Sequence, residues 1–248
     1  MFDTQPLLSC SAFLSATPIP ERKRLPITPW GELTTDIAAE YGKPGLSDLT
    51  LELASGESYH AHKCILAVRS PYFKKFLDSD PSTTSLKLDT TIKDISVPAF
   101  VVERTLFYIY TDSLPTSLIT EHMGELSLLA DLWGLFQLVR WIDALKKNPD
   151  SARYHSFYLH QLNLLRTKPD LYFSDLTLVP GTMPPQAFEP SETGTSPPQC
   201  DDCRFGIVRP IRTHRFFAGA RNAFIHRLLV SGMKESFSGE VVLDLFSA

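Results

Sequence analysis

The residues of this 248-residue chain whose types and spacing invite chemistry fall into three groups. They are a C-x-x-C pair, Cys200 and Cys203; two histidines that each precede an arginine by seven positions, His62 with Arg69 and His214 with Arg221; and the opposite charges Asp48 with Lys63 and Asp175 with Arg215. A structural zinc site takes four ligands at matched spacing. Cys200-Asp201-Asp202-Cys203 has no second pair and lies among prolines, so it reads as an incidental loop and no metal is expected. Neither histidine has a Cys, Asp or Ser partner at a catalytic spacing, which makes them helix-start or core residues in place of ligands or bases. The chain carries no Gly-rich phosphate loop, no G-x-S-x-G elbow and no H-E-x-x-H, and has only 12 glycines. No enzyme and no cofactor is expected. The two charged pairs, each brought together by a hairpin, read as partly buried ion pairs, weak where exposed and costly to break where buried.

What positions these residues is an internal repeat. Ser47-Asp48-Leu49-Thr50-Leu51 recurs letter for letter as Ser174-Asp175-Leu176-Thr177-Leu178, and the sixteen residues His62 to Leu77 lie over His214 to Leu229 without a gap. Ser85 to Asp89 then aligns with Glu240 to Asp244, each alternating apolar and polar positions as a half-buried strand does. One unit used twice demands one explanation for both copies, in the order strand, strand, helix, helix, strand.

Composition narrows the classes. With 43% hydrophobic and 11% aromatic residues the chain has the material for real cores. A net charge of −4 offers no basic face for a polyanion, so no nucleic-acid partner is expected. No apolar run approaches the roughly 18 residues a membrane span needs, and Asp3 stands where a signal peptide would be basic. Four scattered cysteines do not make a disulfide framework; they fit a reducing compartment, cytoplasmic or nuclear.

Along the chain, residues 1–28 hold four prolines and no sustained period, the pattern of a disordered tail. Trp30, Leu33, Ile37 and Tyr41 repeat at helical spacing before the first pentapeptide, and Tyr158, Leu159, Leu162 and Leu165 do so more weakly before the second. Leu49, Leu51 and Leu53 alternate, Ala54-Ser55-Gly56-Glu57 turns the chain, and Ser58 to Ala61 returns. Two short helices meet at Pro71, a longer one runs near Val97 to Tyr110, and a helix pair over 121–146 breaks at Gly134. Residues 179–206, with six prolines, read as a disordered insert where the first copy has a tight hairpin.

Asp48-Leu49-Thr50-Leu51, the run Ala61 to Phe73, Leu106-Phe107-Tyr108-Ile109-Tyr110-Thr111-Asp112 and Leu129-Ala130-Asp131 arrive in one order and spacing that closely resembles BTB/POZ domains, over about residues 30–147. The resemblance implies an α+β fold, a small β-sheet flanked by helical hairpins, working through protein contacts. Residues 29–147 are then one such domain and 148–248 a second, partial copy, carrying the insert and lacking everything that residues 89–146 give the first. Apolar faces around Phe216, Phe217, Phe224 and Leu228 would be left uncovered, so either the chain is a fragment or something else covers them.

In cullin-ligase adaptors of this family a hydrophobic-x-Glu element follows the second helical segment; Met233-Lys234-Glu235 resembles it, whereas the first copy has Asp80-Pro81-Ser82-Thr83 there. Asp48, Lys63, Asp175 and Arg215 match charged positions the family keeps near its dimer groove. The expected partners are therefore proteins, a cullin scaffold of the cullin-3 type and an unknown substrate, with homodimerisation through the BTB fold as a further expectation. The alternative is a self-association module in a transcriptional or cytoskeletal scaffold without a ligase role.

Overall fold

The computed structural model describes residues 29–148, 156–180, 210–232 and 234–243. The tail at 1–28, most of the Pro-rich insert, Met233 and the cysteines of the C-x-x-C pair lie outside the described residues. Among the described residues no helix is long and apolar enough to cross a membrane.

Helix α1 (Pro29–Ala39) opens with proline, whose fixed φ suits a first turn, and carries Glu32 where the helix dipole favours a carboxylate. Strand β1 (Leu49–Leu53) buries its three leucines and turns Thr50 and Glu52 outward, as a period of two dictates. It pairs antiparallel with β2 (Ser58–Ala61), Leu49 opposite Ala61, through the expected turn. Helices α2 (Lys63–Arg69) and α3 (Pro71–Ser79) then carry the chain across one face to β3 (Ser85–Leu88), which runs parallel to β1 with Leu86 opposite Leu51. The sheet order is β2-β1-β3. Every residue of α2 is buried, so this helix is the axis of the core and not its wall.

Ser70 joins the two helices: its Oγ accepts the Phe73 N–H at 3.3 Å as the cap of α3 and donates to the Trp133 carbonyl at 2.5 Å. A two-stranded ladder, β4 (Thr91–Ile92) and β5 (Ile95–Ser96), turns through Lys93 and Asp94, both at positive φ as a tight hairpin requires. Then come α4 (Ala99–Thr111), α5 (Thr116–Glu121), α6 (Met123–Trp133) and α7 (Phe136–Lys147). The expected start of α4 at Val97 moves to Ala99 because Pro98 holds an extended backbone in front of it. Gly134 ends α6 at φ +67, and a Cβ there would stand 3.1 Å from the Pro71 ring, so glycine serves both the turn and the close approach.

After α8 (Tyr158–Thr167) and a 3₁₀ turn at Pro169–Tyr172, strand β6 (Leu176–Pro180) pairs antiparallel with β7 (Ile211–Thr213) and parallel with β8 (Glu240–Leu243). Between β7 and β8 lie α9 (Arg215–Arg221), α10 (Ala223–Val230) and the short α11 (Lys234–Ser238). The order β7-β6-β8 repeats β2-β1-β3, and the register repeats too: Leu176 faces Thr213 and Leu178 faces Val241, the aligned counterparts of Leu49 with Ala61 and Leu51 with Leu86.

The helix that precedes each sheet crosses to the other one. Helix α8 packs on α2, and its Tyr158, Leu162 and Leu165 are buried in the core of the first sheet. Helix α1 packs on α9 as well as on α4, and Leu46 is buried in the smaller core of the second sheet with Leu176, Ile225, Leu229 and Val241. Gly219 makes that approach possible, since a Cβ there would lie 2.7 Å from the Leu46 side chain. This crossing changes one sequence expectation. Phe216 is not an uncovered face: it is 3% exposed, stacked on residues of the first sheet. Phe217 and Leu228 are half-buried, and Phe224 does stand out at 63% exposed.

Candidate protein-interaction site

Each sheet enters its first helix through the same backbone box. The Asp48 N–H donates to the Ala61 carbonyl at 3.3 Å, and its carboxylate accepts the Lys63 N–H at 2.8 Å. In the second sheet the Asp175 N–H donates to the Thr213 carbonyl at 3.2 Å, and the Asp175 carboxylate accepts the Arg215 N–H at 2.8 Å. A carboxylate at this point satisfies an orphan helix donor and meets the positive end of the dipole.

The side-chain pairing read from the sequence divides. Arg215 Nε stands 3.9 Å from Asp175, but the Lys63 ammonium turns away to the Pro81 carbonyl at 2.8 Å. The reason is that the start of α2 places a main-chain N–H on the Asp48 carboxylate, while the buried Lys63 stem points its head at the 80–84 loop. Asp48 and Asp175 lie close enough across the junction to repel. Burial pushes the Asp48 carboxyl up to about 6, the Lys63 N–H opposes that, and the Asp175 charge adds to it. Cys64, beside this box, is a buried free thiol that burial holds well above its ordinary range.

His62 and His214 are the residues just before α2 and α9, and both are buried. The His62 N–H donates to the Tyr110 hydroxyl at 2.8 Å, and that hydroxyl lies 3.0 Å from Nδ1. The hydroxyl thus serves both the main chain and the ring of His62, accepting from the first and sharing one proton position with the second. The imidazole Nε2 has no partner among the described residues, and burial lowers the ring to about 3. Phe216 lies on this ring at 4.0 Å between centroids. His214 Nε2 donates to the Tyr172 carbonyl at 2.8 Å, and burial lowers this ring also. His62 thereby ties the first sheet to α9 through Phe216, whereas His214 is held within its own half by Tyr172 and Phe217.

Sequence reasoning missed the partners of the two arginines. Arg69, 4% exposed, ends α2 and is held on all sides: Nε donates to the Ile109 carbonyl at 3.1 Å, Nη2 to Asp112 and Nη1 to Gln161 of α8. Its guanidinium also lies 4.7 Å from the centre of the Tyr158 ring, whose hydroxyl donates to the Tyr110 carbonyl. Arg221, its aligned counterpart, reaches the opposite way, to Asp36 at 2.6 Å and Glu32 at 3.5 Å on α1. The signal was present in the sequence as the seven-residue His–Arg spacing kept in both copies.

Of the two cullin-contact candidates, Met233 lies outside the described residues and Glu235 sits in α11, two positions before Phe237, which is 79% exposed. Among the described residues no group of three His, Cys, Asp or Glu side chains could hold a metal ion.

A BTB/POZ domain family model matches residues 40–148. The chain is 35% identical over 89 residues to BTB/POZ and MATH domain-containing protein 5 of Arabidopsis thaliana, a stretch of 35% of this chain and 20% of that protein. It is 29% identical over 118 residues to structure-specific endonuclease subunit SLX4 of Mus musculus, covering 46% of this chain and 8% of the other. The chain thus spans a fifth or less of the length of these curated relatives. Among solved structures it resembles the BTB domain of zebrafish PATZ1, with 20% identity and a TM-score of 0.41 over 51% of this chain and 98% of the other. The BTB domain of human gigaxonin gives 24% identity and a TM-score of 0.36 over 49% of this chain and 96% of the other. Residues 40–148 of this chain are a BTB/POZ domain, an α+β protein-interaction module.

Proposed function

We propose that this chain is a protein-interaction scaffold that joins a BTB/POZ domain, residues 29–147, to a second, partial copy, residues 148–248, and serves as a substrate adaptor of a cullin-RING ubiquitin ligase of the cullin-3 type. Support for the second copy comes from the repeated strand order, register and aspartate box. Support for the adaptor role comes from α11, where Glu235 follows the helix pair and Phe237 is 79% exposed. The sequence element Met233-Lys234-Glu235 sets a large apolar residue near a carboxylate, a pairing that suits an interface with a buried centre and a polar rim.

The test is recovery of a cullin scaffold by the full chain and its loss on Glu235→Lys. A folded chain that recovers no cullin refutes the adaptor role. The alternative, a self-association module without a ligase role, requires a solution mass of twice 27.8 kDa by light scattering. The crossing of α1 and α8 within one chain favours the single-chain mass.

A further inference from the structure

The two halves of this chain meet through reciprocal crossings: α8 of the second lies on α2 of the first, and α1 of the first lies on α9 of the second. A junction built this way is the two-fold contact of a dimer drawn into one polypeptide, in which each half gives the other a helix and receives one. Because the sheets repeat one another, each crossing shows what the other could have been. Were the halves interchangeable, like would fit like, and α1 could lie on the α2 of another copy. The charges at the crossings say otherwise.

Arg69 and Arg221 are aligned, and each ends its helix against the crossing one. Arg69 is met inside its own half by the Asp112 carboxylate, and towards the crossing α8 its Nη1 donates to the neutral amide of Gln161. Helix α8, Tyr-Leu-His-Gln-Leu-Asn-Leu-Leu-Arg-Thr, carries no carboxylate at all. Arg221 instead meets two carboxylates of the crossing α1, Asp36 at 2.6 Å and Glu32 at 3.5 Å. Exchange the two helices and neither arginine is suited. On α2, α1 would bring Asp36 to the place of Gln161; attraction to the buried Arg69 would be offset by repulsion from Asp112, leaving the cost of desolvating the new charge unopposed. On α9, α8 would offer Arg221 an amide in place of two carboxylates. Shape points the same way. Phe216, 3% exposed, lies on the His62 ring at 4.0 Å between centroids, whereas its aligned counterpart is Cys64. Two first halves would set a small thiol where that ring fits, and close packing is lost with it.

We propose that Glu32, Asp36 and Arg221 at one crossing, Gln161, Arg69 and Asp112 at the other, and the Phe216 ring are a pairing code, which makes each half of this chain fit the other half and reject its own like. The code states which partners the junction admits. A helix laid on α2 has to be uncharged where it meets Arg69, as α8 is, so the first half of a second copy is turned away by its own α1. The proposal rests on reading the two sheets as copies of one unit, and it is independent of the cullin contact.

Urea unfolding of the full chain at neutral pH, followed by circular dichroism, tests the code one crossing at a time. Gln161→Glu, which lends α8 the charge of α1, should lower the midpoint by about 0.5 M, although an arginine without Asp112 would welcome it. In an Asp112→Asn background the same change should raise the midpoint, because it returns an anion to Arg69. At the other crossing Arg221→Glu should lower the midpoint, and Glu32→Arg with Asp36→Arg in the same chain should bring it back. Pairing itself is read by co-expression under two tags. A chain with Arg221→Glu and a chain with Glu32→Arg and Asp36→Arg should recover one another at least about tenfold more than two parent chains do, since each fits the other better than itself. The code is overturned by a midpoint that Gln161→Glu raises or leaves unmoved in the parent, by the same sign in both backgrounds, by no return on charge inversion, or by matched chains recovered no better than parents; the repeated sheet order would still stand. Loss of cullin recovery with these results intact strikes only the adaptor role.

Discussion

Replacing Asp112 with asparagine should cost the fold about 2–4 kcal/mol, out of proportion to the one atom changed. Asp112 sits at φ 57, a left-handed conformation asparagine also tolerates, so backbone strain does not enter. What changes is charge. Arg69 and Asp112 are 4% and 9% exposed, and among the described residues the carboxylate is the one anion on the guanidinium; breaking such a buried pair from one side costs about 3–5 kcal/mol. The Ile109 carbonyl, Gln161 and the Tyr158 ring remain to hold the cation, which trims the loss toward the lower end. Arg69→Met alone should cost a similar amount, since it strands the carboxylate. The double variant removes both charges and leaves an apolar stem of similar length, so it should fall well short of the sum. The coupling energy is expected at about 1.5–3 kcal/mol. Urea unfolding followed by tryptophan fluorescence and by circular dichroism measures all four corners, with Trp133 reporting from the same core. Additivity within about 0.5 kcal/mol would refute the reasoning, because it would mean the two side chains do not depend on one another.

Acid titration separates two buried groups of opposite sign. His62, lowered from 6.5 to about 3, lets the unfolded chain bind the extra proton, so its contribution is lost as pH falls through that window. Asp48, raised from 3.8 to about 6, makes the folded chain the better base, so stability is gained as pH falls from 6 toward 4. The two nearly cancel between pH 4 and 6, and Asp48→Asn should unmask a loss of up to about 1.4 kcal/mol per pH unit relative to the parent chain; parallel stability profiles would contradict the assignment. Ser70→Ala removes the cap of α3 and strands the Trp133 carbonyl, for an expected loss of about 1.5–3 kcal/mol in the same urea assay, with no change when Ser70→Thr keeps the hydroxyl. An alanine variant as stable as the parent would show that neither bond contributes.

Local pattern made most of the BTB/POZ domain readable. Alternation in Leu49, Leu51 and Leu53, the turn at Gly56, the break at Pro71 and the pause at Gly134 are each consequences of backbone geometry within a few residues, and each falls where it was expected. Alternation also located β8, because Val241 must face inward opposite Leu178. Periodicity reports that a face is apolar, however, and not which neighbour covers it. Tyr158, Leu162 and Leu165 show helical spacing, but nothing local says that they belong to the core of the first sheet. Phe216 looked uncovered for the same reason, until His62 and Tyr110 closed over it. Lys63 was paired with Asp48 on charge alone, whereas the helix start decided in favour of its own N–H. The arginines were a signal left unused: Arg69 and Arg221 each end a largely apolar helix, and a cation so placed has to be met by something.

The crossing of α1 and α8 sets where this polypeptide can be cut. A fragment trimmed to residues 40–148 would shed α1 and α8 together. Arg69 would then lose Gln161 and the Tyr158 ring, His62 would lose Phe216, and the core would lose Ile37. A 40–148 fragment is therefore expected to unfold at a lower urea concentration than the full chain, and truncation mapping of partners should keep both halves together.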